Sequence, residues 1–363
     1  VFWDPALTPS CYHGVTTVVA GNCGFSIAPT LPQHRDLIAR TLENVEDMDV
    51  AALAAGIPWD FVTFPEYLAS VERHGLGLNF AAYIGHTALR LFAMGDDAYE
   101  RTATDREIET MRDAIRVALD AGAIGLATSF GPTHRGVDGK PVPSRHADRA
   151  EFDALFGVLR EAGRGLAMVT PGDLINPREL FEVQMELGVP MTMAAVLALP
   201  DLAHRKTVEH AVRSWARGAA VWPQVSPRPL RLAMSMASPF ILNLNANFGA
   251  LLSQPASARR AAYADPAWRK ETSNRWPEVG SFGAPRWETC TIVESAAHPE
   301  VIDRPLVDIA TECGAAPFDA LLDLALDEQD LALRFACTIA NDDEEEVAAL
   351  LREPHMAIGL SDA

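Results

Sequence analysis

The run Val15-Thr-Thr-Val-Val-Ala-Gly-Asn-Cys-Gly24 joins a β-branched segment to a cysteine that lies between two glycines. β-Branched residues favour strands, and glycines let a backbone approach its neighbours closely. A second apolar run, Met356-Ala-Ile-Gly-Leu-Ser-Asp362, ends in a carboxylate. Parallel barrels place their chemistry at the C-terminal ends of strands. A thiol and a carboxylate at two such ends indicate a metal-assisted hydrolase.

Strand-like and helical segments alternate along most of the chain. The helix predicted over 104–121 is typical: it opens on the capping box Thr104-Asp-Arg-Glu107 and stops at Gly122. The predicted strands cover 14–21, 78–85, 123–130, 165–170, 190–199, 219–225 and 356–360. Alternation of this kind predicts βαβ units and parallel strands. We therefore predict an α/β fold of the (β/α)8 TIM-barrel type, one strand short of closure.

One long segment interrupts the alternation. Residues at about 226–300 are rich in Pro, Trp, Ser and Asn, and they are too many for an ordinary crossover between strands. We expect residues 1–363 to form one incomplete barrel, with this segment inserted as a lid-like element.

The composition excludes several classes of partner. The 363 residues carry a net charge of -19 and 48% hydrophobic residues, so we expect a sizeable core and an acidic surface that does not bind nucleic acid. Apolar runs are too short to span a membrane. Five scattered cysteines without a CxxC pair favour a reducing cytoplasm over a disulfide scaffold. Motifs typical of nucleotide-binding loops, serine hydrolases and zincins are missing from the sequence.

Two side chains are candidate metal ligands. Cys23 could bind zinc as a thiolate, and Asp362 could bind metal or act as a general base. Each has a simpler interpretation: Cys23 as a small buried apolar residue, and Asp362 as the cap of a following helix.

Four further residues are candidates for binding substrate. His86 ends the predicted strand 78–85, and His134 follows the strand 123–130 in a turn-rich stretch that is equally typical of a surface histidine. Arg135 and Arg228 are candidates for binding a carboxylate, because a guanidinium pairs with it through two hydrogen bonds. Arginines that merely face solvent are the alternative.

Several motifs together resemble the N-acyl-D-amino-acid deacylases (D-aminoacylases) of the amidohydrolase superfamily. The matching segments are Trp3-Asp-Pro-Ala-Leu-Thr-Pro-Ser10, His13-Gly-Val-Thr-Thr-Val-Val-Ala-Gly-Asn-Cys-Gly24, Gly85-His-Thr-Ala-Leu-Arg90, Asp308-Ile-Ala-Thr-Glu-Cys-Gly314 and Gly359-Leu-Ser-Asp362. The resemblance implies a barrel that hydrolyses an amide bond of a small N-acylated substrate through zinc-activated water. It matches Cys23 to the family's cysteine ligand and Asp362 to the strand-eight aspartate that binds metal and shuttles protons.

The chain also departs from this family. The family's His-x-His lies before the point where this chain begins, and its last helix and small β-sandwich follow Asp362. The histidines at the ends of family strands five and six are replaced within 167–171 and 192–197. We therefore expect a divergent member and a fragment, which lacks strand one and the terminal sandwich and has an altered metal site.

Two functions follow from these residues. The first is hydrolysis of a carbon–nitrogen bond, with Asp362 as base, Cys23 holding the metal, and His86, His134 and Arg228 positioning the substrate. The alternative is a catalytically degenerate barrel with a binding or structural role, to which the vacant histidine positions point. The sequence leaves the oligomeric state open.

Overall fold

The computed structural model describes residues 1–8, 10–46 and 48–359, which divide into two compact units. Of the described residues, the first unit contains those within 1–196, 205–225 and 354–359, and the second contains those within 197–204 and 226–353.

The strands and helices alternate as the sequence predicts over most of the first unit. In chain order, the strands are β1 (Thr17–Ala20), β2 (Asn79–Gly85), β3 (Gly125–Ser129), β4 (Leu166–Thr170), β5 (Met191–Met193), β6 (Val221–Val225), β7 (Leu230–Ser235), β8 (Thr291–Glu294), β9 (Arg334–Ala340) and β10 (Ala357–Ile358). The helices are α1 (Arg35–Glu46), α2 (Val50–Gly56), α3 (Phe64–His74), α4 (His86–Met94), α5 (Asp105–Asp120), α6 (Arg149–Ala162), α7 (Glu179–Leu187), α8 (Ala203–Trp215), α9 (Ala246–Gly249), α10 (Ala256–Ala264), α11 (Pro266–Asn274), α12 (Gly280–Gly283), α13 (Leu306–Cys313), α14 (Pro317–Asp327) and α15 (Glu344–Arg352).

The first unit is built on a parallel sheet of seven strands in the order β1-β2-β3-β4-β5-β6-β10. Neighbouring strands pair in parallel, for example Ala20 with Ala82 and Ala127 with Met168. The predicted α/β class is confirmed, and the sheet fits a TIM-like barrel.

The sheet is strongly curled. Asn22, which follows β1, donates a hydrogen bond from Nδ2 to Oε1 of Gln224 on β6 at 2.8 Å. Five strand spacings separate β1 from β6, which would be about 24 Å in a flat sheet. A direct side-chain contact across that span requires the sheet to bend around an interior.

Local sequence explains where most elements begin and end. The predicted capping box at the start of α5 is present, with Thr104 accepting from the backbone of Glu107 and the Glu107 side chain accepting in return. Asp148 caps α6, and Gly163 ends it in a left-handed conformation at φ 62°. The strand predicted over 190–199 is shorter than expected, because a continuous apolar run does not mark where pairing stops.

The second unit contains an antiparallel sheet in the order β7-β9-β8. The segment 226–300 lies in this unit, which continues to Glu353. Its core includes a disulfide between Cys290, which precedes β8, and Cys337 on β9. The expectation of reduced cysteines throughout is therefore wrong for this pair, because strand pairing joins residues that lie 47 positions apart. Cys11, Cys23 and Cys313 do not take part in a disulfide.

Within the described part of the chain, none of the helices has the length and apolar character needed to cross a membrane.

Candidate active site

The turn that follows β1 holds Cys23 in a strained backbone conformation. Cys23 adopts φ 59° and ψ 7°, which is left-handed and uncommon for residues other than glycine. Such conformations cost of order 1–3 kcal/mol and concentrate at functional sites. The Cys23 N–H lies 3.2 Å from Sδ of Met168 on β4, and the half-buried cysteine packs against Tyr83 and Ala127. The turn thus lies over the interior surface of the sheet.

Two glycines allow this turn to rest on the ends of β2 and β3. A Cβ at Gly24 would lie 2.6 Å from the carbonyl oxygen of Ala127, and one at Gly85 would lie 2.4 Å from the carbonyl oxygen of Gly24. Real Cβ atoms essentially never approach a backbone oxygen so closely. The predicted close approach of backbone around Cys23 is therefore present, and Gly24 also needs its φ of 76°.

His86 begins α4 at the carboxyl end of β2 and is completely buried. Its Nδ1 lies 2.8 Å from Oγ1 of Thr128, and its Nε2 lies 2.8 Å from Oε1 of Glu151. Arg90 donates to the same carboxylate, at 2.7 Å to Oε1 and 2.5 Å to Oε2. Both ring nitrogens of His86 are therefore occupied by protein partners.

The neighbours of Glu151 determine the ionisation state of its carboxyl group. Burial alone would raise the pKa of Glu151, but the hydrogen bond and charge of His86 and the charge of Arg90 outweigh it and lower that pKa to about 2. The carboxylate is therefore ionised at neutral pH and joins α4 to α6. A buried ion pair with satisfied partners stabilises a fold only while the set is complete.

His134 lies in the loop after β3 and has a different environment. Its Nδ1 lies 2.5 Å from Oγ of Ser129, the last residue of β3. Its ring meets Phe25, two residues beyond Cys23, edge to face with centroids 5.1 Å apart. Burial, followed by the charge of Arg145, lowers the pKa of His134 to about 4. The imidazole is therefore neutral at pH 7.

Arg135 and Arg145 belong to the same loop, and the carboxylate of Asp173 pairs with Arg145. Arg145 donates to the carboxylate of Asp173 and to the backbone oxygens of Pro132 and His134, the last two at 3.2 and 3.4 Å. Arg135 donates to the carbonyl oxygen of Gly139 at 3.0 Å. Burial lowers the pKa of Arg135, and the neighbouring charge of Arg145 lowers it further.

The structure therefore brings Cys23, His86 and His134 to the carboxyl ends of three adjacent parallel strands. Arg228 is exposed and belongs to the second unit. Asp362 lies outside the described residues, and its predicted roles remain a prediction.

Two contributing residues are missing from the sequence-based predictions. Glu151 sits in the first turn of α6, where an acidic residue is usual for the helix dipole, so nothing in the sequence marks it as the partner of His86. Ser129 could have been suspected, because it ends a strand five residues before a candidate histidine.

The described residues do not by themselves fit a zinc ion. Zinc sites take at least three protein ligands, and the described part of the chain contains no group of three His, Cys, Asp or Glu side chains that could hold a metal. At segments 167–171 and 192–197, where the resemblance leads us to expect histidines, the chain places Thr170 at the end of β4 and Ala194 after β5. Cys23 is one suitable ligand, and further ligands would have to come from outside this set.

The chain is similar in sequence to several known proteins. No family model matches the chain. An uncharacterized protein of Mycobacterium tuberculosis is 27% identical over 387 residues, which cover 100% of this chain and 62% of that protein. A D-aminoacylase of Alcaligenes xylosoxydans xylosoxydans is 30% identical over 190 residues, covering 52% of this chain and 35% of the enzyme. The chain thus spans about three fifths of the length of the mycobacterial relative.

Solved structures share the fold. An N-acyl-D-glutamate deacylase of Bordetella bronchiseptica, complexed with zinc and a phosphonate inhibitor, matches with a TM-score of 0.61 and 23% identity over 98% of this chain and 61% of that one. A D-aminoacylase that defines a novel subset of amidohydrolases matches with a TM-score of 0.57 and 23% identity, over 97% and 60% of the two chains. The chain is therefore similar in sequence to D-aminoacylases and N-acyl-D-amino-acid deacylases over part of its length, and it shares the fold of the solved ones.

Proposed function

We propose that the protein hydrolyses a carbon–nitrogen amide bond, other than a peptide bond, in a small N-acylated substrate. The observation that carries the proposal is the glycine-flanked Cys23, held in a strained conformation over the ends of β2 and β3 in a chain that is similar in sequence to a D-aminoacylase. A sequence relative and a solved relative are deacylases of N-acyl-D-aspartate and N-acyl-D-glutamate. An N-acyl-D-amino acid is therefore the substrate class we propose.

We propose roles for the candidate residues in the whole protein. Cys23 and Asp362 would belong to a metal site, and Asp362 would be the general base; this rests on their match to the family sequence. Zinc, when bound in such a site, supplies a Lewis acid and an activated water. Because the described residues lack a three-ligand group, we derive no reaction step through the metal.

The proposed roles of His134, His86 and Arg228 differ because their surroundings differ. His134 is neutral and reaches the strand-end region beside Phe25, so we propose that it hydrogen-bonds substrate. Substrate contact by His86 would require its buried network to open, so we propose that it supports the ends of β2 and β3 instead. Arg228 remains a proposed substrate residue on the basis of its guanidinium alone.

The cytoplasmic location also remains a proposal. It rested on scattered, reduced cysteines, and the Cys290–Cys337 bond removes part of that basis.

The test is hydrolysis of N-acetyl-D-amino acids, with the L-enantiomers beside them, by the whole protein with and without added zinc. We expect release of the free amine, and we expect Cys23→Ala and Asp362→Asn each to lower turnover by at least about 10²-fold. Cys313→Ala, which removes an exposed thiol, is the matched control and should leave turnover unchanged. Circular dichroism should show that all three variants are folded.

Turnover in Cys23→Ala that equals the wild type would reject its role. A folded whole protein that cleaves none of these amides under any metal condition would instead favour the catalytically degenerate alternative.

A further inference from the structure

Two side-chain amides tie the turn that carries Cys23 to a distant strand of the curled sheet. Asn22 donates from Nδ2 to Oε1 of Gln224 at 2.8 Å, and Gln224 donates from Nε2 to Oδ1 of Asn22 at 3.3 Å. The two residues lie 202 positions apart, Asn22 just after β1 and Gln224 on β6. We call them the amide pair. Two reciprocal hydrogen bonds fix both the separation and the orientation of the two side chains.

A third side chain determines which way the amide of Gln224 faces. Thr192 on β5 has one hydroxyl proton, which it donates to the carbonyl oxygen of Trp222 at 2.8 Å. Oγ1 of Thr192 therefore accepts from Nε2 of Gln224, which lies 3.2 Å away. The two Nε2 protons of Gln224 are then used on Thr192 and Asn22, and its Oε1 is left to accept from Asn22. The amide pair thus has one consistent set of donors and acceptors.

This tie matters because the residue after Asn22 has an unfavourable backbone conformation. Cys23 adopts φ 59°, and a residue other than glycine keeps such a conformation where the surrounding contacts enforce it. The Cys23 N–H lies 3.2 Å from Sδ of Met168, and a thioether sulfur is a weak acceptor. The two amide hydrogen bonds are stronger, and they act on the residue that immediately precedes Cys23.

We propose that Asn22 and Gln224 are positioning residues for the reaction proposed above, because they hold the turn that places Cys23. Their effect passes through Cys23 rather than through contact with substrate. Without the pair, Cys23 can return to an ordinary φ, which displaces its thiol while the strand ladder stays in place. This inference rests on the proposed function, because it assigns the positioning of a residue in that reaction site.

The first measurement follows the Cys23 thiol without turnover. The whole protein, carrying Cys11→Ser and Cys313→Ser and freed of metal with a chelator, is treated with iodoacetamide. Mass spectrometry of the tryptic peptide that ends at Arg35 gives the rate of modification of Cys23. Gln224→Met keeps the side-chain length and removes the amide, so we expect modification at least about tenfold faster, because lost hydrogen bonds make local opening easier.

Gln184→Met is the matched control for this variant. Gln184 on α7 is buried, donates from Nε2 to the carbonyl oxygen of Val189 at 3.2 Å and accepts from the Ala220 N–H at 2.8 Å. Its replacement also removes the hydrogen bonds of an amide side chain, so it should lower the midpoint of urea unfolding. The rate of Cys23 modification and the turnover should stay at the wild-type values.

A second variant reaches the same pair from its other end. Asn22→Ala should reproduce the faster modification seen with Gln224→Met, so the test does not depend on the folding of one variant. The double variant should react no faster than either single variant, because each removes the same two hydrogen bonds. Effects that multiply in the double variant would contradict a role of the two residues as a pair.

The second measurement is turnover of N-acetyl-D-amino acids by the whole protein. Gln224→Met should lower kcat by about tenfold or more and change KM less, because small displacements of a group in a reaction site reduce the rate of the chemical step.

Three results would overturn the inference. The first is modification of Cys23 at the wild-type rate in folded Gln224→Met protein, and the second is equal acceleration in Gln184→Met. The third is faster modification with a wild-type kcat, which would show that the pair holds the turn without positioning it for the reaction. A protein that never hydrolyses an amide, yet shows the tenfold change in modification, would reject the proposed function and leave the amide pair as the contact that holds Cys23.

Discussion

The carboxyl ends of β2 and β3 each carry a histidine, and the two differ in how many of their polar atoms the protein satisfies. His86 is fully enclosed, and Thr128 and Glu151 take both of its ring nitrogens. His134 is tethered at Nδ1 by Ser129, while its Nε2 has no partner among the described hydrogen bonds. The two histidines also differ in burial, because His86 is completely buried and His134 only partly. A buried histidine whose nitrogens are both satisfied stabilises the fold, whereas one with a donor left over can serve a ligand.

The largest effect we expect is a loss of stability when the buried network around His86 is broken. Glu151→Gln removes the charge that pairs with Arg90 and accepts from His86, and it leaves a buried guanidinium uncompensated. Breaking a buried pair in this way costs about 3–5 kcal/mol of unfolding free energy. Urea unfolding of the variant beside the wild type measures this loss.

Glu161→Gln provides the control for that measurement. Glu161 pairs with Arg112 on the surface, with 51% of its side chain exposed. Exposed pairs contribute about 0–1 kcal/mol. If the two variants lose similar stability, the network around His86 is not the structural element described here.

A smaller loss of stability is expected when the hydrogen bond between Ser129 and His134 is removed. Ser129→Ala leaves the Gly131 N–H and Nδ1 of His134 without their shared partner. A lost buried hydrogen bond of this kind costs about 1–3 kcal/mol. The more specific readout is ¹⁵N NMR of the imidazole: the wild type should show His134 protonated at Nε2, and the variant should show a mixture of tautomers. A wild-type spectrum with the proton on Nδ1 would contradict a hydrogen bond donated by the Ser129 hydroxyl to Nδ1 of His134.

The smallest effect concerns the protonation of His134, which we expect not to change near neutral pH. The pKa of His134 is lowered from 6.5 to about 4, so its proton resonances should stay constant from pH 8 to about 5. Because the unfolded chain binds this proton more readily than the folded one, the free energy of unfolding should fall as the pH drops from 6.5 towards 4. His134→Gln should remove that part of the acid sensitivity. A His134 that titrates near 6.5 in the folded protein would show that the loop is open to solvent.

The same comparison explains what the sequence could predict. Caps and apolar spacing are local signals, so the α5 capping box and the strands before Cys23, His86 and His134 were predicted correctly. The division of roles between the histidines depends on contacts 42 and 65 positions away for His86 and only five positions away for His134. A long-range partner such as Glu151 leaves no local signal.

The pairing of Cys290 with Cys337 was missed for the same physical reason. The two thiols meet because β8 and β9 run side by side, and a spacing of 47 residues says nothing about that pairing. The predicted pair of Cys23 with Asp362 remains a prediction, because Asp362 lies outside the described residues.

The backbone contacts of Gly24 and Gly85 have a consequence for how such a site evolves. A Cβ on either glycine would collide with a carbonyl oxygen, so almost any substitution there would push the Cys23 turn away from the strand ends. The residues at the ends of the neighbouring strands β4 and β5, by contrast, include Thr170 and Ala194, at segments where the family resemblance leads us to expect histidine. Substitutions can therefore change the side chains at the strand ends one at a time, while Gly24 and Gly85 keep the backbone arrangement of those ends unchanged. A lineage built this way can alter its chemistry without first losing its fold, and in a sequence alignment we expect its glycines to change more slowly than its ligands.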